Sequence, residues 1–249
     1  NAPTAAKPGG FGARAGYLAL GLSVIALGLA AAPYFTGAGD VRGYLLKHPE
    51  VLQEASAALQ QKEAQARVDE INQAAAANAG LLAPDSRDPS FGPADAKVTV
   101  IEFFDFRCPG CKAVAHDYRA LMAAHPEVRF VFKDWPILDR GEDVTSQYAA
   151  RAALAAHQQG KYLEVYDALM NARALSIASI DQILAQHGVD MTRAKAAIAA
   201  PDTTRHIADI HTTAAALRLQ GTPSFFVNGK ASAGIDPAEI GRMIEAAKR

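Results

Sequence analysis

Hydrophobic and polar positions divide the chain into stretches with different periods. Residues 15–35, AGYLALGLSVIALGLAAAPYF, carry no charge, and a helix of that length spans roughly 30 Å, the thickness of a bilayer's hydrocarbon core. From Asp40 to Asn78 the chain is rich in Ala, Gln and Glu and has no strand signal. Pro49 interrupts this region, which predicts a short helix near Val41–Lys47 and a long one from about Pro49 onward. The apolar positions Val51, Leu52, Ala55 and Leu59, then Val68 and Ile71, make a thin stripe that slips register around Lys62. A regular coiled coil keeps its heptads, so residues 37–78 read as a helical stalk, either solvated or oligomerising. Residues 79–96, with Pro84, Pro89 and Pro93, read as a linker.

The pattern then changes. Val98 to Phe104 is a near-continuous run of apolar and β-branched residues, which predicts a strand buried on both faces. Past Cys111 the period is helical, with Ala113, Val114, Tyr118, Leu121 and Met122 on one face to about Ala124 and Pro126 as the stop. Val128–Phe132 is the next strand, and a polar turn follows at Asp139–Asp143. Residues 143–219 have almost no strand propensity and break at Gly160, Gly188 and Pro201 into several helices. Ser179 with Gln182 has the spacing of a capping box, and Gly188 stands where a C′ glycine belongs. Ser224–Val227 and Lys230–Ser232 flank Asn228-Gly229, a strong hairpin signal. Asp236-Pro237-Ala238-Glu239 caps a last helix to about Lys248. The order is β-α-β, helical block, β-β-α, an α/β chain. From pattern alone the helical block is equally an insertion or a separate bundle.

Composition adds bounds. The 249 residues, half of them hydrophobic, bury one sizeable core and leave something over. A formal net charge of −1, from 25 basic and 26 acidic residues, argues against a nucleic-acid partner. Asn1 stands where an initiator methionine is expected, which points to a trimmed or processed chain. Lys7 and Arg14 precede the uncharged run, so residues 1–36 read as a cytoplasmic stub and transmembrane anchor, with everything after them outside. A cleaved signal peptide is the other reading, supported by Ala30 and Ala32 and opposed by Pro33 after the cut. Both readings export the rest of the chain to a compartment where disulfides persist.

The chemistry is concentrated at Cys108-Pro109-Gly110-Cys111, between the first strong strand and its helix. A strand that delivers a CxxC to a helix start places one cysteine among unpaired backbone N–H groups and the positive end of the helix dipole, both of which favour a thiolate. Cys108 is therefore expected as the exposed, acidic nucleophile and Cys111, one turn in, as the resolving thiol. Pro109 suits the first helical position. A structural zinc site needs four ligands, and these are the only two cysteines. A structural disulfide closing so short a loop stabilises little. A redox-active dithiol is the reading the context supports, with no metal and no cofactor beyond the Cys108–Cys111 disulfide itself. Glu102 is the one charge in the apolar strand, a candidate to take the Cys111 proton or, otherwise, to pair with a lysine such as Lys112.

The strings EFFDFRCPGCK, KDWPI at 133–137 and GTPSFFVNGK at 221–230 together resemble the DsbA-like branch of the thioredoxin superfamily, most of all the bacterial suppressor-of-copper-sensitivity proteins. The resemblance covers about residues 95–249. It implies a thioredoxin fold over 97–249 with a helical insertion at about 143–219. It also implies a buried acid at Glu102 and a cis-proline at Pro223, with the Thr222 backbone offered to an extended substrate. The implied activity is thiol-disulfide exchange on cysteine-containing exported proteins, on the periplasmic side of the bacterial inner membrane, with a membrane redox partner. Relatives trimerise through a similar amino-terminal segment, which implies a homo-oligomer through residues 40–78. Pro109-Gly110 departs from the family's more oxidising dipeptides, and Gly110 adds no side chain to stabilise charge; both suggest an isomerase or reductase. The rival functions are a dithiol oxidase, a copper(I)-binding protein using the same thiolates, and a non-catalytic anchored scaffold.

Among the seven histidines, His48, His125, His157, His187, His206 and His211 fall in surface-like contexts, while His116 lies on the CxxC helix near the site. Trp135, the only tryptophan, is expected in the core.

Overall fold

This computed structural model describes residues 41–249. The expected membrane or signal segment, residues 15–35, lies outside the described residues, and none of the described helices is long and apolar enough to cross a membrane. The described chain falls into two units, up to Gln61 and from Lys62 onward. The first holds α1 (Val41–Lys47) and the opening turns of α2 (Glu50–Ala77), on either side of Pro49 as the sequence predicts. Its apolar residues are not gathered into a core: Val41, Tyr44, Leu46, Leu52 and Leu59 are all exposed.

The second unit is built on a five-stranded mixed sheet, β1 (Ser90–Phe91), β2 (Thr99–Phe104), β3 (Arg129–Asp134), β4 (Ser224–Val227) and β5 (Lys230–Ala231), in the order β1-β3-β2-β4-β5. β2 runs parallel to β3 from Thr99 opposite Arg129 to Phe104 opposite Asp134, and antiparallel to β4, where Glu102 faces Phe225. Central strands covered on both faces account for the continuous apolar run at 98–104. The β4–β5 turn places Asn228 at φ 45° and Gly229 at φ 80°, the left-handed pair a two-residue hairpin needs.

The connection from β2 to β3 is α3 (Pro109–Ala124). Between β3 and β4 come α4 (Thr145–His157), α5 (Tyr162–Asn171), α6 (Ile177–Gln186), α7 (Met191–Ala199) and α8 (Pro201–Ala216), and α9 (Pro237–Ala247) ends the chain. One sheet face packs Phe104, Phe130, Phe132 and Phe225 against α3, α9 and the block α4–α7. Tyr162 and Tyr166 of α5 set their rings 5.4 and 5.0 Å from that of Phe132, so the helical block closes the same core and is not a separate bundle. The opposite face packs Ile101, Phe103, Val131 and Phe226 against Ile210 and Ala214 of α8 and Ala75 of α2. Trp135 joins this second face, edge-on to Phe103, with its indole N–H donated to His211 Nδ1 at 3.1 Å.

Three expectations need correction. Residues 79–96 are not an open linker: β1 adds to the free edge of β3, and Asp88 just before it is buried against Lys133 at 2.6 Å. The cap of α6 is Ser176, whose hydroxyl accepts from Ser179 N in a reciprocal box, three residues ahead of the expected Ser179. His206 is buried on α8 with Nε2 3.3 Å from Asp88 Oδ1, not solvated, because the sequence-distant Asp88 is buried beside it.

Candidate functional site

The site forms where β2 ends. Asp105, Phe106 and Arg107 turn the chain, and Cys108 N donates to Asp105 O at 3.0 Å. The buried Asp105 carboxylate holds the turn by accepting from Arg107 N, Ile137 N, Leu138 N and Ser146 Oγ at 2.8–3.1 Å. Four donors on one carboxylate fix its position and, with it, the turn. Cys108 is the N-cap of α3 and Pro109 its first residue, where the missing N–H costs nothing.

Both thiols are free and buried, but their surroundings differ. Cys108 Sγ keeps 8 % residue exposure and donates to the Thr222 carbonyl oxygen at 3.1 Å. The Cys111 thiol beside it, then the Thr222 side chain and the backbone N–H groups of Cys111 and Gly110, outweigh burial and bring its pKa down to about 5. Cys111 is fully buried, and burial first, then its hydrogen bond to Cys108 and the nearby Glu102 charge, push its thiol far up. The two thiols are thus displaced in opposite directions. This is the division of labour expected of a helix-capping pair.

Thr222 and Pro223 stand opposite the pair, joined by a cis peptide. A Cβ on Gly110 would lie 3.3 Å from Pro223 Cδ and 3.7 Å from both Cys108 Sγ and Ile235 Cδ1. Gly110 therefore admits a close approach between α3 and the Pro223 loop.

Glu102 lies beneath the dithiol with no exposure, and neither of its oxygens is hydrogen-bonded to protein. Burial first, then the charge of Asp134, raise its pKa well above the usual range, while the nearby Tyr166 hydroxyl works the other way. The hydroxyls of Tyr118 and Tyr166 are buried and unpartnered as well. Asp134 is a second buried acid, accepting from Tyr162 Oη at 3.0 Å and also raised, chiefly by burial. Lys112 does not pair with Glu102. Its Nζ donates to the carbonyls of Leu169, Met170 and Ala172 at the end of α5, at 2.9, 3.2 and 2.9 Å, which suits a cation to a helix C-terminus.

The structure thus brings together Cys108, Cys111, Gly110, Thr222, Pro223 and, one layer below, Glu102. His116 is exposed on α3 and takes no part. Sequence reasoning missed Asp105, whose signal is an Asp two residues before Arg107 in an Asx-type turn. It also missed Ile235, an apolar residue just before the Asp236 cap of α9, where a hydrophobic staple belongs. Among the described residues no group of three or more His, Cys, Asp or Glu is placed to hold a metal ion.

Known proteins agree with this geometry. The family model described as "Thioredoxin" matches residues 85–246, and that of the copper resistance protein ScsC N-terminal domain matches residues 41–66. A thioredoxin-like oxidoreductase from Silicibacter pomeroyi DSS-3 is 36% identical, with a TM-score of 0.63 over 69% of this chain and 98% of that one. ScsC of Proteus mirabilis in a transitional conformation is 25% identical, with a TM-score of 0.62 over 87% of this chain and 97% of that one. Among curated proteins, the Na(+)/H(+) antiporter NhaA 3 of Salinispora tropica is 34% identical over 145 residues, 58% of this chain and 22% of the antiporter. The chain spans between 22% and 27% of the curated relatives it matches, so ion exchange is not carried over from their names. With a match running from before β1 through the cysteine pair into α9, and a second on its amino-terminal helices, the chain belongs to the thioredoxin family, as a DsbA-like member close to ScsC.

Proposed function

We propose that this chain is an exported thiol:disulfide oxidoreductase that uses Cys108 as nucleophile and Cys111 as resolving thiol on cysteines of extracytoplasmic proteins, favouring isomerisation or reduction. The observation that carries this reading is the opposite displacement of the two thiols, Cys108 to about 5 and Cys111 far upward. The Cys108 thiolate attacks a client disulfide, forming the mixed disulfide and expelling one client thiolate. Cys111, on losing its proton, attacks Cys108 Sγ and expels the second, so two electrons pass from the dithiol to the client. In isomerisation the client's own thiolate resolves the mixed disulfide and the enzyme ends reduced. Glu102 receives the Cys111 proton, and Thr222 offers its backbone to the client. Stabilising the Cys108 thiolate favours the reduced form and makes the disulfide a stronger oxidant, which is what the rival dithiol oxidase needs; the leaning to isomerisation or reduction rests instead on the ScsC-type match of residues 41–66.

Export rests on the uncharged residues 15–35 preceded by Lys7 and Arg14, which anchor the chain in the inner membrane or direct it across. Association rests on residues 41–61, where Val41, Tyr44, Leu46, Leu52 and Leu59 are exposed and the ScsC-type match falls. Residues 62–78 belong to the catalytic unit, so the informative truncation removes 41–61 alone. The truncated protein is expected to be monomeric, to lose unscrambling of a mis-paired substrate and to retain or improve dithiol oxidation. A full-length monomer that oxidises well and cannot unscramble sinks the isomerase reading. The equilibrium potential of the Cys108–Cys111 couple against glutathione then fixes the direction. The ScsC-type match also makes copper(I) a rival ligand for the same thiolates, and anaerobic titration of the reduced protein with copper separates the two.

A further inference from the structure

A cleft of about 170 Å³ opens directly beside Pro223, and its outer wall is α2. Its floor and sides are apolar, formed by Val68 and Ile71 of α2 and by Leu219, Pro223 and Ile235. Ile235 is 40 % exposed, and it and Pro223, both lining the cleft, are the side chains that approach Gly110 between the two cysteines, so the cleft ends beside the dithiol loop. The rim is charged. Arg218, held in the left-handed region at φ 59°, pairs with Glu70 of α2 at 2.6 Å. Arg67 lines the same rim, is exposed, and has no hydrogen-bond or ion-pair partner among the described residues. The Glu239 carboxylate stands on the opposite side, accepting from Ser232 Oγ and Ala233 N, so Arg67 is the one rim guanidinium without a carboxylate among the described residues.

We infer that this cleft reads the client next to its reacting cysteine, accepting an extended segment that places an apolar side chain in the slot and an aspartate or glutamate against Arg67. The inference rests on the dithiol reading above and adds the class of client. The argument is one of local charge complementarity: Arg218 is matched by Glu70, and Glu239 is held by Ser232 and Ala233 on the far side, so the α2 side of the mouth, at Arg67, is where a basic neighbour is repelled and an acidic one attracted. An unpaired guanidinium is also available to a carboxylate without first breaking a protein contact. Arg218 contributes less, because Glu70 already holds it. The wall comes from α2, upstream of the catalytic sheet, so the specificity of the site is partly written in the segment before it.

The test uses the reduced full chain and two disulfide-linked reporter peptides that differ only beside the cysteine, Leu-Glu in one and Leu-Lys in the other. The expected ratio of kcat/KM, acidic over basic, is about fivefold at low salt, the size of a partly exposed ion pair, and shrinks toward one in 0.5 M salt. Arg67→Glu is expected to reverse the ratio, and a ratio taken within one preparation is independent of how much of the variant is active. Reduction of the small neutral disulfide of 2-mercaptoethanol serves as the reference reaction. A normal rate on that disulfide and equal rates on both peptides overturn the inference and leave the dithiol reading standing. No exchange with that disulfide or either peptide overturns both. A preference that survives Arg67→Glu unchanged also overturns the role assigned to α2.

Discussion

Cys108 Sγ meets the main-chain carbonyl of Thr222 at 3.1 Å, across 114 residues of sequence. The contact sets the one thiol that keeps some exposure against the loop of the cis-proline. Alkylation of the reduced protein against pH is expected to show Cys108 reacting with a midpoint near 5, while Cys111 stays unreactive at neutral pH. Equal labelling of both cysteines at pH 7 rules out the assigned roles. Since the folded pKa of Cys108 is depressed, its contribution to stability grows above about pH 5 and is full above the unfolded thiol value of ~8.5. Reduced wild type is therefore expected to gain on Cys108→Ala between pH 5 and 8 in urea melts.

Glu102 has the opposite sign. Its folded pKa is raised, so the stability of the protonated group is present at acid pH and is lost as pH rises past the unfolded value of ~4.3. Glu102→Gln is expected to melt higher than wild type at pH 8, with the difference shrinking toward pH 4. The same substitution is expected to slow release of the mixed disulfide more than its formation, followed by quenched-flow trapping. If neither step changes, Glu102 is not the proton acceptor.

Lys112 satisfies three carbonyls at the end of α5 with one ammonium group. Lys112→Met keeps the stem and strands those acceptors. A loss of about 1–3 kcal/mol is expected, from the cost of leaving buried acceptors unpaired. Hydrogen exchange should rise first at residues 169–172. A uniform rise over the whole domain argues instead for global destabilisation.

The Asp88–Lys133 pair is buried on both sides, at 0 % and 6 % side-chain exposure. Removing one partner leaves an uncompensated interior charge, so Lys133→Met is expected to cost about 3–5 kcal/mol in chemical denaturation. Adding Asp88→Leu to it is expected to recover part of that loss. A single substitution costing less than 1 kcal/mol means that water reaches the pair.

Much of this fold is legible from strong local signals. The apolar run into Phe104, Pro109 at the first helical position, Asn228-Gly229 and Asp236-Pro237 each impose their structure within a few residues, and each element lies where the sequence predicts. β1 is different: Ser90–Phe91 is too short to carry a period and is a strand only because β3 offers a free edge. The burial of His206 and Asp88 is equally non-local, since Lys133 arrives from the sheet interior. At the site, the cysteines, Glu102, Thr222 and Pro223 were readable because motif and resemblance mark them. Asp105 and Ile235 were not, since Asp105's partners other than Arg107 lie 32 or more residues away and Ile235 meets Gly110 from the far end of the domain.

The Asp105 clamp has a consequence for engineering. One carboxylate ties the turn before Cys108 to the segment after β3 and, through Ser146, to the first turn of α4. The helical block is thus fastened to the reactive turn at its entrance, as a keystone fastens two arms of an arch. A chimera that exchanges this block for another protein's should place its seam after Ser146. A seam cut at Asp139, although the loop there is more exposed, keeps Ile137 and Leu138 but exchanges Ser146 along with the block, and hands over a scaffold whose cysteine turn is no longer tied to the helices.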